Sequence, residues 1–496
     1  MHARTAPPLL LLLAILLAPP IPAAEESSAA APSELARRLD RAIAESSFAQ
    51  ARVGMLVARA EDGEVLYARG ADRLFIPASN QKILTALASL DRFGPAHRFT
   101  TRFHAPTAID GEGELAELVV EGGGDPSLRS EDWWRIAADL RRAGLRVVHG
   151  DLRVDDGIFT GPSWHPSWGE VSGRAYHAPI GALNANFGGY LVSVAPRASA
   201  GSRAHVAIDP PVAYLRLSNR ARTVGRATAP DLRIERSPGA ASEGIAEEIV
   251  QVEGRVRRGD PADAIARSVI DPGLYAGALL LHQLEANGIE VAGRVRRSAR
   301  GEADRALVLS HAGASLAEVV RACMKQSSNS VAETLVKDLA AFEEVDAEGR
   351  PLGRGDWAEG MRVVRERLEG LGIELQQARL VDGSGLSTLN RLSPRMLVAA
   401  LRVAASSFRF GPEFVAALPI AHADGTLERR LEEVEGRVRA KTGLLSDAQV
   451  TALSGYAERP GRGGLVFSIL VNGPGAGTES AMAGVDQLAA ILLESP

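Results

Sequence analysis

Lysine is nearly absent from this chain of 496 residues. Basic residues number 56, yet only Lys82, Lys325, Lys337 and Lys441 among them are lysines. The distinction matters because lysine can give up its proton and act as a base, whereas an arginine guanidinium stays charged at any physiological pH. Cysteine is scarcer still. Cys323 stands alone, so no internal disulfide is available and the fold must rest on its core. It lies in an apolar helical stretch, Leu316 to Met324, with no histidine or base near it in sequence, and reads as a buried, inert thiol. Positive charge is not in excess. The formal net charge of -5 argues against nucleic acid and anionic membrane surfaces as main partners. Arginine clusters such as Arg294 to Arg300 read as solvated faces. No two histidines have metal-ligand spacing and no cysteine cluster exists, so neither a catalytic metal nor another cofactor is expected.

Long apolar runs are missing too, apart from Leu9 to Ala18. That run is about half the roughly 20 residues a bilayer span requires. Arg4 precedes it without any acidic residue, and Pro19-Pro20-Ile21-Pro22-Ala23-Ala24 follows. Residues 1–23 therefore read as a cleavable secretory signal. The expected mature protein begins near Ala24, is exported and soluble, and has no integral membrane anchor. At 46% hydrophobic residues the remainder is ordinary globular material, long enough for more than one domain.

What the chain does contain is an ordered set of short elements. Ser79-Asn80-Gln81-Lys82 matches S-x-x-K, Ser327-Ser328-Asn329 matches S-x-N, and Lys441-Thr442-Gly443 matches K-T-G. Alone each is weak, since an S-x-x-K arises by chance roughly once or twice in a chain this long. In a chain so poor in lysine, two lysines in these elements and in this order leave little room for coincidence. Pro77 disfavours helix at the residue before it, so a helix is expected to start close to Ser79, with Lys82 to Leu90 inside it. Ser79 and Lys82 then lie at i and i+3 on one face, within contact range. Unpaired N–H groups at that helix start are available to an oxyanion formed at Ser79.

Around these elements, Glu34 to Glu45 has helical periodicity, and Val53 to Ala58 with Val65 to Arg69 forms a hairpin. Ala452 to Tyr456 and Leu465 to Asn472 form a second, followed by a helix from Thr478 to Leu493. Both chain ends are thus expected to build one α/β domain. The stretch between Lys82 and Ser327 is too long for a loop. Strands are expected at Phe99 to Phe103, Leu115 to Glu121, Leu145 to Val148 and Val291 to Val295, with helices at Glu131 to Ala143 and Gly273 to Asn287. From about Ala175 to Gly259 the pattern is β-rich, so one α/β insertion carries a second, all-β unit inside it. The Gly122 to Asp125 run lacks a following lysine and a phosphate-loop spacing, and reads as a tight strand-to-helix turn.

The three elements, with Phe75-Ile76-Pro77-Ala78-Ser79-Asn80, Gly122-Gly123-Gly124-Asp125-Pro126, Asp382-Gly383-Ser384-Gly385-Leu386-Ser387 and Asp424-Gly425-Thr426-Leu427, resemble the low-molecular-mass class C penicillin-binding proteins. These are D-alanyl-D-alanine carboxypeptidases and endopeptidases of the bacterial periplasm. The resemblance implies an α/β (α+β) multidomain fold of the serine β-lactamase and transpeptidase type with two inserted domains. The transpeptidase-like domain would cover 24–94 and 306–496, an inserted domain 95–165 and 262–305, and a nested, mainly β domain 166–261. Peptidoglycan stem peptides would be the substrates and β-lactam antibiotics covalent inhibitors. Acyl transfer to serine needs an activated hydroxyl, oxyanion donors and a proton path to the leaving amine. On this pattern Ser79 is the nucleophile, and Lys82 accepts its proton, with a pKa lowered by burial and by neighbouring Lys441. Ser327 relays the proton to the leaving nitrogen, and Lys441 supplies positive potential. Asn329 binds the substrate amide and holds Lys82. Thr442 binds the terminal carboxylate, Gly443 continues the substrate-binding strand, and the N–H groups of Ser79 and Leu444 bind the oxyanion. Asp155 is a candidate for reading a free amine on the third residue of the stem peptide, its alternative being a cap on the turn before Gly157.

Departures from the family pattern are Ser328, where aspartate is usual, Leu444, where serine or threonine is usual, and His422, where glycine is expected. Helix-capping is a further expected role for Ser327 and Asn329, since Val331 to Leu339 reads as a helix. Two rival readings are a serine β-lactamase and a non-catalytic peptidoglycan-binding scaffold. The first needs a deacylating glutamate in E-x-x-L-N, and the nearest match, Leu386-Ser387-Thr388-Leu389-Asn390, has leucine there. The intact motif residues argue against the second.

Overall fold

A computed structural model describes residues 33–239, 247–298, 305–459 and 461–494. The secretory-signal reading of residues 1–23 lies outside the described residues. Two hairpins from opposite ends of the chain meet in one sheet. Its five strands run in the order Val438–Leu445, Val450–Arg459, Gly463–Asn472, Arg52–Arg59 and Val65–Arg69, antiparallel throughout. Successive side chains leave opposite faces of a strand, so each strand serves two cores. Met55, Val57, Phe467 and Ile469 pack on one face with Leu39 and Val485 of the terminal helices Glu34–Glu45 and Glu479–Glu494. Leu56, Ala58, Val466 and Leu470 pack on the other with Leu84 and Leu87 of the helix Gln81–Phe93.

The insertion is built on a second five-stranded sheet, Val295–Arg297, Leu152–Asp155, Leu118–Glu121, Arg98–Ala105 and Ala306–Ser315, and a three-stranded one, Glu290–Val291, Val147–Val148 and Glu114–Leu115. Two expectations are corrected here. Leu115 to Glu121 and Val291 to Val295 are not continuous strands. Each of these segments, like the one from Val147 to Asp155, leaves the small sheet and enters the large one after a short step. The backbones nearly touch where they step. A Cβ on Gly150 would lie 2.4 Å from the Ala116 carbonyl oxygen, and one on Gly293 2.3 Å from the Gly150 carbonyl oxygen. Apolar residues flank each step, so hydrophobic periodicity runs through it without a mark.

The β-rich stretch forms a three-stranded sheet of Asp263–Ser268, Gly189–Ala195 and His205–Asp209, another of Leu215–Asn219, Glu248–Glu253 and Arg233–Pro238, and a two-stranded pair. Its buried residues, among them Val192 and Val250, belong to the same apolar cluster as Phe103, Trp133 and Leu279 of the α/β part. The Gly122 to Asp125 run is the expected turn between the strand Leu118–Glu121 and the helix Ser130–Arg142. Among the described residues no helix is long and apolar enough to cross a membrane.

Candidate active site

Ser79 lies in a single 3-10 turn, Ala78–Asn80, that runs straight into the helix Gln81–Phe93. Lys82, fully buried, brings its Nζ to 3.0 Å from Ser79 Oγ and donates to Asn329 Oδ1 and the Ser384 carbonyl, each at 2.7 Å. Burial lowers its pKa to about 8, against the opposing influence of Cys323, Asp382 and Glu333. The effect expected from the neighbouring lysine appears on the partner instead. Lys441 is held well below the usual lysine range by burial and then by the charge of Lys82. Lys441 Nζ donates to Ser327 Oγ and to the Thr442 carbonyl, both at 2.9 Å. A low-dielectric pocket holding two ammonium groups favours loss of one proton.

Ser327 and Asn329 owe their positions to a junction of two helices. Leu316–Gln326 ends at Ser327, whose φ of 56° and ψ of 36° are left-handed, and Asn329–Ala341 starts two residues later. The expected capping role falls instead to Ser328, whose Oγ accepts from the Val331 N–H at 3.4 Å. That explains the departure at Ser328, because serine and aspartate are equivalent N-caps. Asn329 is left free to accept from Lys82 and to donate from Nδ2 to the Tyr176 carbonyl at 2.9 Å. His422 has φ of 51°, a left-handed conformation in which glycine costs less.

The edge strand Val438–Leu445 carries the third element. The Ala440 N–H bonds outward to the Pro419 carbonyl at 3.0 Å, so by two-residue alternation the N–H groups of Thr442 and Leu444 point to the same free edge. Gly443 packs against the serine turn, where an added Cβ would lie 3.0 Å from Asn80 Nδ2 and 3.1 Å from Ala78 Cβ. The Leu444 side chain is exposed. Thr442 Oγ1 lies 2.7 Å from Thr426 Oγ1.

The other two lysines make structural contacts. Lys325 donates to both carboxylate oxygens of Asp424 at 2.6 Å, which ties the end of one helix to the turn bearing Thr426. Lys337 donates to the Thr160 carbonyl at 2.8 Å and lies 3.9 Å over the Trp357 ring. Cys323 is buried, as expected, and burial raises its thiol to about 11 even with Lys82 and Lys441 near it. The buried Asp155 carboxylate accepts from the Gly157 N–H at 3.0 Å. That is the turn-capping contact, and an amine-reading role rests on sequence alone. Sequence reading gave no role to Ser384, Glu333, Thr426 or the Tyr176 carbonyl. The segments holding Ser384 and Thr426 had stood out only as family-like. Among the described residues no group of three or more metal-ligating side chains comes together.

The model of the D-Ala-D-Ala carboxypeptidase 3 (S13) family matches residues 35–494. The chain is 35% identical over 464 residues to a D-alanyl-D-alanine carboxypeptidase of Actinomadura sp. (strain R39), covering 89% of this chain and 81% of that one. The crystal structure of penicillin binding protein 4 (dacB) from Haemophilus influenzae has a similar fold, with a TM-score of 0.75 at 22% identity over 92% of this chain and 98% of that one. A second structure of that protein, a complex with a novel β-lactam, gives a TM-score of 0.71 at 22% identity, again over 92% and 98% of the two chains. With a serine, two buried lysines and a K-T-G edge strand on this fold, the chain belongs to the D-Ala-D-Ala carboxypeptidase 3 (S13) family, the low-molecular-mass class C penicillin-binding proteins, and is a serine-type D-alanyl-D-alanine carboxypeptidase.

Proposed function

We propose that Ser79 is acylated by D-alanyl-D-alanine stem peptides of peptidoglycan, and by β-lactams that mimic them. The contact that carries this reading is Lys82 Nζ at 3.0 Å from Ser79 Oγ, in a pocket that brings the lysine to about pKa 8. Near neutral pH a useful fraction of Lys82 is then uncharged and can take the serine proton as Oγ attacks the carbonyl carbon. The oxyanion that forms would be met by the N–H groups of Ser79 and Leu444. The leaving D-alanine nitrogen needs a proton as its bond breaks. Ser327, hydrogen-bonded to Lys441, is suited to pass it on. Thr442, oriented by Thr426, would bind the terminal carboxylate, and Asn329 the substrate amide. Water then hydrolyses the acyl-enzyme.

A cavity of about 660 Å³ beside Ser327 and Asn329, walled by Arg129, Tyr176, Asn186 and Tyr190, leaves room for a peptide next to the amide that Asn329 would bind. Endopeptidase alongside carboxypeptidase action is proposed with it. The division into a transpeptidase-like domain, an inserted domain and a nested β domain, with the boundaries given above, belongs to the same proposal. So do cleavage of a signal at residues 1–23 and a periplasmic location. Labelling with a fluorescent penicillin tests the chemistry. The expected result is a long-lived adduct on the tryptic peptide containing Ser79, abolished in Ser79→Ala. Fast turnover would mark a β-lactamase, no reaction a scaffold, and an adduct elsewhere a different nucleophile.

A further inference from the structure

Glu333 plays no part in the roles assigned above, yet it is wired to them. It lies four residues beyond Asn329 on the helix Asn329–Ala341, so the two side chains leave the same face. Its carboxylate is fully buried and meets three donors. Oε2 accepts from Trp357 Nε1 at 2.8 Å and the Gly383 N–H at 3.1 Å, and Oε1 accepts from the Ser384 N–H at 2.8 Å. Burial and then the charge of Asp382 raise Glu333 to about 7, while the Ser384 and Gly383 N–H groups pull the other way. The carboxylate is therefore largely ionised at the pH near 8 where Lys82 gives up its proton. The same Ser384 whose N–H is held by Glu333 offers its carbonyl to Lys82 Nζ at 2.7 Å. One residue therefore bridges the carboxylate and the ammonium.

The charged and titratable groups facing Glu333 come from each neighbouring segment. Asp382 lies in the gripped loop, Lys82 on the serine helix, Cys323 on the preceding helix, and Lys337 one turn further along. His165 faces Asp382 from the insertion. Asp382 is itself saturated by the Gly385 and Ser387 N–H groups, Asn390 Nδ2 and Trp168 Nε1.

We propose that Glu333 is a positioning residue for Lys82: it fixes, through the Gly383–Ser384 peptide, the carbonyl that anchors the ammonium beside Ser79, and its negative charge favours the protonated lysine. The proposal rests on Lys82 being the proton acceptor. The sign follows from charge. An ionised Glu333 favours the protonated lysine and so offsets part of the lowering that burial imposes. Removing that charge makes Lys82 lose its proton at lower pH.

The test is the second-order rate of Ser79 acylation by benzylpenicillin against pH, on the full chain. Wild type should rise through about pH 8. Glu333→Gln should move that limb down by about one unit, the scale of a nearby opposite charge. It should also lower the plateau about tenfold, because its amide NH₂ opposes an N–H donor. Glu333→Asp should keep the limb near its wild-type position with a reduced plateau. A limb that stays put in Glu333→Gln, with or without a rate loss, overturns the proposal. A wild type without the limb instead overturns the role of Lys82. Should Glu333→Gln not fold, Trp357→Phe takes its place. It strips one donor from the carboxylate, so Glu333 ionises at higher pH and carries less charge where Lys82 titrates. The limb should move the same way by less, and an unmoved limb again overturns the proposal.

Discussion

Lys82→Arg separates a base from a fixed cation. Both lysine and arginine keep a positive charge near Ser79, but only lysine can be uncharged at neutral pH. The arginine variant should therefore lose acylation almost as fully as Lys82→Ala, by about 10²–10⁴-fold, the range for removing a general base. Stopped-flow acylation by penicillin measures it, and near-wild-type rates in the arginine variant would reduce Lys82 to a counter-charge. Single residues were also where the sequence was most readable. Lysine scarcity pointed to Lys82 and Lys441, and the structure brings both to serine hydroxyls. The third partner of Lys82 was beyond reach. The Ser384 carbonyl lies 302 positions away, and a backbone acceptor has no residue signature. Glu333 left a trace, being four residues after Asn329 on a helix, but a buried glutamate and an exposed one look alike in sequence.

At the scale of elements, the helix junction at Ser327 to Asn329 decides whether two motif residues point inward. Ser327 holds a left-handed conformation that costs a non-glycine residue about 1 kcal/mol or more, so its neighbours must fix it. Ser328 does so by capping the helix that follows. Ser328→Ala should cost about 1 kcal/mol of unfolding free energy, while Ser328→Asp should stay within a few tenths. Urea unfolding reads both, and equal losses would show that the cap is not what holds the junction. Most helices and both terminal hairpins were legible from periodicity, with ends shifted by a few residues. The strands that step between two sheets were not, because Leu115 and Leu118, or Val291 and Val295, are apolar on both sides of the step. Only the close backbone approach at Gly150 and Gly293 distinguishes them.

Across the whole molecule, the insertion reaches the segments that hold the proposed site residues. It does so through three contacts. The Tyr176 carbonyl accepts from Asn329 Nδ2 at 2.9 Å, Ser167 Oγ donates to Ser387 Oγ at 2.7 Å, and Trp168 Nε1 donates to Asp382 Oδ2 at 2.8 Å. The last matters most, because Asp382 is buried and organises the loop whose Ser384 carbonyl anchors Lys82. Trp168→Phe keeps an aromatic ring but removes the donor together with part of the indole's bulk. A buried carboxylate left one donor short should cost about 1–3 kcal/mol. If that loop transmits the insertion's influence to Lys82, the variant should melt at lower temperature and be acylated several-fold more slowly by penicillin at every pH. A surface role for the tryptophan would leave both unchanged. Loss of stability with unaltered acylation would place the insertion's contribution in folding alone, and separate it from the positioning of the lysine.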